Sequence, residues 1–98
     1  MNKTEFLQDY KTWVEDVIDS WVQGADDSYE DMRWLRNDLE NAEDYFSNNT
    51  EDFYEDYATT NYDAQLEEEC SSEISEIIVK YVESTKKYVA DTYEHWND

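Results

Sequence analysis

Apolar residues recur every three or four positions along most of this chain, which is the spacing of amphipathic helices. A half-buried strand would instead alternate apolar and polar residues at every second position. The first stripe comprises Phe6, Tyr10, Trp13, Val17 and Trp21. It predicts a helix over residues 3–24, with Asn2 as its N-cap and the only glycine, Gly24, at its C-terminal turn.

A second stripe begins after three candidate N-cap residues at positions 26–28. Its members are Met32, Leu35, Leu39, Ala42 and Phe46. Arg33 and Arg36 lie among acids on the exposed face of this helix, so pairs such as Arg36 with Glu40 are available there. A short third helix is predicted over residues 51–58, with Phe53 and Tyr57 turned towards the core.

The last stripe runs from residue 62 to residue 96, and an unbroken helix of that length would span about 52 Å. Ser71 and Ser72 interrupt it, and serine hydroxyls compete for backbone hydrogen bonds. We therefore expect either a kink near Cys70–Glu73 or a projecting helix that packs against a second copy. The predicted architecture is all-α: one domain over residues 1–98, built as a small bundle of three to four helices with a long C-terminal helix.

Composition bears on whether the chain folds. Leu, Ile, Val and Phe supply only 17 of 98 residues, a level typical of disordered chains when net charge is high. Four tryptophans and nine tyrosines add large side chains that can be buried. Because these residues follow the helical spacing, we predict a folded domain.

The charge balance excludes several functions. There are 27 acidic residues against 7 lysines and arginines, for a net charge of −20. Direct nucleic-acid binding needs a cationic surface, and an anionic bilayer would repel the chain. No apolar run approaches the roughly 20 residues of a transmembrane helix, and the first ten residues do not read as a secretory signal. With a single cysteine, the expected location is the reducing cytoplasm.

Catalytic chemistry is not expected from these residues. The only histidine, His95, lies near the C-terminus, where we expect a solvated and frayed residue. The only cysteine, Cys70, follows three glutamates that disfavour a thiolate. The sequence contains no glycine-rich phosphate loop, no zinc ligand set, no Glu-x-x-His pair and no calcium loop. We predict no enzyme activity, no cofactor and no defined metal site.

The placement of the acids is more informative than their number. Residues 37–79 contain fourteen carboxylates and no lysine or arginine, and residues 15–31 contain seven more without a base. Acidic doublets recur four residues apart, at 26/27 with 30/31 and at 51/52 with 55/56. On a helix this step places carboxylates about 6 Å apart along one face. Phosphates of one DNA strand advance about 3.4 Å per nucleotide, so rows of carboxylates can imitate them approximately.

A net charge of about 2 to 8 is enough to keep a small domain soluble. The much larger charge of this chain destabilises the compact state by self-repulsion, which favours a binding function for the acids over a merely solvated surface.

In its size, helical pattern, acidic doublets and aromatic content, the whole chain resembles the DNA-mimic inhibitors of phages and mobile elements, that is, antirestriction proteins and acidic anti-CRISPR proteins. The resemblance implies an inhibitor that occupies the positive groove of a CRISPR-Cas effector or restriction enzyme. The carboxylates expected to bind are Glu43, Asp44, Glu51, Asp52, Glu55, Asp56, Glu67, Glu68 and Glu69. Tyr54 and Trp34 are the candidate aromatic anchors, with filling the core of this aliphatic-poor bundle as the alternative role for each.

Two other functions fit the same sequence. The chain could be an acidic chaperone that shields a basic nucleic-acid-binding protein without inhibiting it. It could also be an acidic helical assembly subunit that dimerises through its long final helix and uses its charge only to prevent aggregation.

Overall fold

The computed structural model describes residues 3–98, and over this range the chain is all-α, which confirms the predicted fold class. It contains six α-helices and a final 3₁₀ helix at Glu94–Asn97. The α-helices are α1 (Lys3–Gln23), α2 (Tyr29–Glu40), α3 (Ala42–Asn48), α4 (Thr50–Asp56), α5 (Ala64–Glu69) and α6 (Ser71–Thr92). The first helix has the predicted extent, and its expected N-cap, Asn2, lies outside the described residues.

Helices α1 and α6 form a parallel pair that runs along the molecule. The Lys3 Nζ atom lies 3.4 Å from the Glu73 Oε1 atom, and further along, the Tyr81 hydroxyl lies 2.6 Å from Asp19 Oδ1. Helices α2 and α3 return in the opposite direction, because Arg36 contacts the C-terminal Trp96 whereas Glu43 contacts Ser75 near the start of α6. The resulting body measures 46 × 22 × 18 Å.

Aromatic side chains fill the core of this aliphatic-poor chain. Trp13 is 1% exposed, and its ring centroid lies 4.8 Å from that of Phe46, 5.2 Å from that of Tyr10 and 5.6 Å from that of Phe53. Phe6 extends the cluster by edge-on contact with Phe53 at 5.5 Å. Such pairs add about 0.5–1.5 kcal/mol each beyond the area they bury. The tryptophans and tyrosines therefore provide the core that the aliphatic count lacks.

The second predicted helix is divided in two. Ser28 caps α2 by accepting a hydrogen bond from the Asp31 backbone N–H. At Asn41 the backbone leaves the helix, and the Asn41 side-chain amide donates to the Asn37 carbonyl. Ala42 and Phe46 remain buried in α3, so the apolar stripe crosses the break unchanged.

The final segment breaks where the serines follow Cys70. Helix α5 ends at Glu69 and α6 begins at Ser71, which confirms the kink and not the projecting helix, since α6 packs along α1 within the subunit. Cys70 is fully buried at this break, and burial is the main factor that raises the pKa of its thiol.

The C-terminus is held in place, so the expectation that His95 is frayed is wrong, although its side chain remains 40% exposed to solvent. Trp96 is 8% exposed, and Arg36 lies over its ring at 4.7 Å and donates to its carbonyl, so the predicted pair of Arg36 with Glu40 does not form. Asp27 accepts the backbone N–H groups of Glu94 and His95 at 3.1 and 2.9 Å. Sequence spacing could not reveal these contacts because they join residues about 60 to 70 positions apart.

The Asp27–His95 contact predicts a pH-dependent contribution to stability. The His95 Nδ1 atom lies 3.1 Å from Asp27 Oδ1, and this hydrogen bond raises the pKa of His95. The backbone N–H of His95 is the first factor that lowers the pKa of Asp27, so Asp27 stays ionised while the histidine titrates. A raised histidine pKa stabilises the fold below the unfolded value of about 6.5, and this contribution is lost as pH rises through the folded value.

We therefore expect the melting temperature of the wild type to exceed that of His95→Gln near pH 6, and this difference to shrink above about pH 8. Thermal melts followed by circular dichroism at both pH values measure it. Comparing the two proteins at each pH removes the general effect of net charge, and a difference independent of pH would contradict the assignment.

Candidate acidic binding surface

Helix α4 presents four carboxylates on its outer side. Phe53 is 1% exposed and points into the aromatic core, and this fixes the rotation of the helix. Glu51, Asp52, Glu55 and Asp56 are all exposed. Their carboxylates accept no hydrogen bond and form no ion pair with any residue between 3 and 98. The predicted doublets at 51/52 and 55/56 thus lie on one helix about 6 Å apart, as the sequence indicated.

Helices α3 and α5, which precede and follow α4 in the chain, carry the other predicted carboxylates. Glu43 and Asp44 are exposed on α3, and Glu43 accepts a hydrogen bond from the Ser75 hydroxyl at 3.1 Å. Glu68 and Glu69 are exposed on α5. We call the acidic surface the nine predicted carboxylates on α3, α4 and α5: Glu43, Asp44, Glu51, Asp52, Glu55, Asp56, Glu67, Glu68 and Glu69.

Of the two predicted aromatic anchors, Tyr54 lies within the acidic surface. It is half-buried, its ring packs 5.1 Å from the Phe53 ring, and its hydroxyl is 3.5 Å from Glu67 Oε2. This contact joins α4 to α5. Burial is the main factor that raises the pKa of Tyr54, with the Glu67 charge second, so the phenol stays neutral and donates to the carboxylate. Tyr54 therefore holds two parts of the acidic surface together.

Trp34 lies elsewhere. It is 63% exposed on α2, where it shares a shallow groove with Tyr29 and Arg33. The sequence placed Trp34 in the same site as the carboxylates, but the structure assigns it to a separate helix that carries both arginines.

The acidic surface has no internal counter-charge. Helices α3, α4 and α5 contain no lysine or arginine. Across residues 3–98, lysine forms ion pairs only between Lys3 and Glu73 and between Lys86 and Glu83. Acids also occur on α1, α2 and α6, so negative charge is not confined to one face. What distinguishes α3–α5 is that these three helices carry nine carboxylates and no base of their own.

Acids of the other base-free tract, by contrast, help to hold the fold. Tyr81 donates to Asp19 at 2.6 Å and Tyr57 donates to Asp16 at 3.1 Å, in both cases from another helix or its end. Nearer the N-terminus, Asp9 accepts bonds from the Thr59 backbone and from the hydroxyls of Thr59 and Tyr62. Burial opposes the change, but these bonds lower the pKa of Asp9. In this chain, which has few lysines and arginines, tyrosine hydroxyls are thus the partners of these aspartates.

The doublets at 26/27 and 30/31 do not form the predicted helical row. Asp26 and Asp27 precede the helix, whose N-cap is Ser28. Asp31 turns back to accept the Asp26 backbone N–H at 2.8 Å, and Asp27 binds the C-terminal turn. The prediction failed because carboxylates near a helix N-terminus accept hydrogen bonds from free backbone N–H groups. A carboxylate that does so is no longer free to bind a partner.

Asp27, Glu94 and His95 also bring three potential metal-ligand atoms within 4.8 Å of one another, although the sequence predicted no such cluster. Both oxygens of Asp27 already accept bonds from the final turn. The three residues are close together because Asp27 binds the final turn to the start of α2.

Because the charge is unpaired, the melting temperature should rise as added salt screens repulsion. The screening length falls from about 30 Å at 0.01 M salt to about 8 Å at 0.15 M. We expect a steady increase in melting temperature over this range, measured by circular dichroism with sodium chloride. A flat or falling melting temperature would show that repulsion among the carboxylates does not limit stability.

Comparison with known protein families, curated proteins and solved structures finds no match. Among residues 3–98, no helix combines the length and apolar character that crossing a membrane requires.

Proposed function

We propose that this protein is a DNA-mimicking inhibitor that occludes the positively charged nucleic-acid-binding groove of a defence nuclease, either a CRISPR-Cas effector or a restriction enzyme. The observation that carries the proposal is the acidic surface, where three consecutive helices expose carboxylates without a single base. A surface of this kind binds a cationic partner and repels nucleic acid itself.

The physical basis is competition for the same cations. Lysine and arginine side chains that grip phosphates also form charge-assisted hydrogen bonds with carboxylates. The two doublets of α4 supply carboxylates about 6 Å apart, and α3 and α5 add five more. Long-range attraction would speed encounter with the groove, so inhibition would be fast and stoichiometric and would involve no catalysis.

Rigidity supports the proposal as well. The helix that carries the α4 carboxylates is fixed by Phe53, which is anchored in the aromatic core, and by the Tyr54–Glu67 contact. A charged surface on a fixed scaffold loses less conformational entropy on binding than a disordered acidic tail does. The helices would therefore present a preformed array to the groove.

The test is a competition assay with a panel of purified CRISPR-Cas effectors and restriction endonucleases. Each nuclease is loaded with fluorescent duplex DNA, and the protein is titrated in at several salt concentrations. We expect release of DNA from at least one nuclease, loss of its cleavage activity, and weaker competition as salt rises.

The other functions give different results in the same assay. A chaperone would bind the basic protein while its activity survives, and an assembly subunit would displace no DNA. Either outcome across the panel, or binding that does not depend on salt, would contradict inhibition by DNA mimicry.

A further inference from the structure

A shallow groove of about 730 Å³ runs along the outer side of α2. All seven residues that line it come from this one helix: Tyr29, Glu30, Arg33, Trp34, Arg36, Asn37 and Glu40. No second element of the described chain packs against this side of α2 within the groove. Trp34 and Tyr29 are 63% and 59% exposed, which makes this the most aromatic part of the described surface.

The charge of this groove is unlike that of the rest of the chain. It contains both arginines of the sequence and two glutamates, so its formal net charge is zero in a protein of net charge −20. Arg33 is exposed and forms no ion pair with any residue in the range 3–98. Exposed tryptophan, tyrosine and arginine are the residues that most often dominate the binding energy of protein interfaces.

We propose that this groove binds the α2 helix of a second copy of the chain, in an antiparallel arrangement about a twofold axis. Arg33 and Glu40 lie seven residues apart on the groove side, about 10 Å along the helix, too far to pair within one copy. In an antiparallel pair, Arg33 of each copy meets Glu40 of the other. The face is thus self-complementary, as a twofold interface requires.

Charge also favours a second copy of this chain as the partner that binds the α2 groove. A strongly basic partner is drawn to the acidic surface, and the two arginines make the α2 groove the face least attractive to it. A strongly acidic partner is repelled by the net charge of the molecule. The neutral aromatic groove fits another neutral aromatic groove, and pairing there brings together the least repulsive faces of two like-charged copies.

The first test is the molar mass of the purified protein, measured by sedimentation equilibrium over a range of concentrations in moderate salt. We expect association towards twice the 11.8 kDa of one chain. Trp34→Ala should weaken the dimer about thirtyfold, the effect of losing a dominant interface residue. Tyr88→Ala is the matched control, because Tyr88 is 57% exposed on α6 and lies outside the groove, and it should leave the mass unchanged.

A charge exchange tests the pairing directly. Arg33→Glu should weaken the dimer, and the double variant Arg33→Glu/Glu40→Arg should restore it by reversing both intermolecular pairs. The control Arg33→Glu/Glu76→Arg has the same net charge and should not restore it. A wild type that stays monomeric at every concentration overturns the proposal, as does a dimer insensitive to Trp34→Ala, which would point to α6 or another face.

Salt separates this inference from the proposed function. Dimerisation should strengthen from low to moderate salt, because screening relieves the repulsion between two copies of net charge −20 more than it weakens the two exposed Arg33–Glu40 pairs, whereas displacement of DNA should weaken. The mass measurement uses the pure protein without any nuclease, so it can fail or succeed whether or not an inhibited nuclease is found.

Discussion

Reversing Glu51, Asp52, Glu55 and Asp56 to lysine is expected to weaken binding to the inhibited nuclease about a thousandfold. Each reversal replaces an attraction to a cationic groove by a repulsion. At about 1 kcal/mol for each position, the four changes amount to about 4 kcal/mol, and every 1.4 kcal/mol is a factor of ten. All four side chains are exposed and without partners among the described residues, so the helix loses no internal contact.

The matched control reverses four exposed acids outside α3–α5 whose side chains likewise have no partner among the described residues, namely Asp26, Asp38, Glu76 and Asp91. Both variants change the net charge by the same amount, so long-range attraction to the groove falls equally in the two. Affinity is measured by DNA displacement, and helicity by circular dichroism. If the control loses as much affinity as the α4 variant, binding depends on total charge and not on the acidic surface.

Replacing Trp13 by alanine is expected to cost about 3–5 kcal/mol, enough to unfold much of a domain whose total stability is about 5–15 kcal/mol. Trp13 is 1% exposed and contacts Tyr10, Phe46 and Phe53, which come from three different helices. Its loss would leave a cavity beside Phe53, the residue that orients α4. We therefore expect the variant to lose the acidic surface together with the fold.

Trp34→Ala is the matched substitution for this prediction. Trp34 is 63% exposed, so its removal should change the free energy of unfolding by less than about 0.5 kcal/mol. Urea denaturation at low protein concentration, where self-association does not add to stability, measures both variants. Equal losses in the two proteins would contradict the aromatic core described above.

The helices were largely predictable because amphipathic spacing is a local property. The stripe of α1 predicted its extent, and the serines after Cys70 predicted the break before α6. The break at Asn41 was missed because the apolar stripe continues across it, so periodicity alone could not show where the backbone turns. The final turn was missed because Trp96 follows the helical spacing, although the helix ends at Thr92.

The candidate site was predictable where a short helix turns one face to solvent. On α4, one buried residue, Phe53, leaves the doublets at 51/52 and 55/56 outside. The same reasoning failed at 26/27 and 30/31, where the carboxylates satisfy backbone N–H groups. Spacing cannot distinguish an acid that faces solvent from one that binds a backbone N–H group. That difference depends on which other segment of the chain packs beside the acid.

The sequence by itself determined that the chain is helical and strongly anionic and that aromatic residues form its core, since periodicity, charge and side-chain type are properties of the residues themselves. Only the tertiary structure decided which acids remain free. Asp9, Asp16 and Asp19 meet tyrosine hydroxyls from distant segments, while the α4 carboxylates face solvent. It also separated Trp34 from the acidic surface. Both outcomes depend on contacts between residues far apart in the chain, which local spacing does not encode.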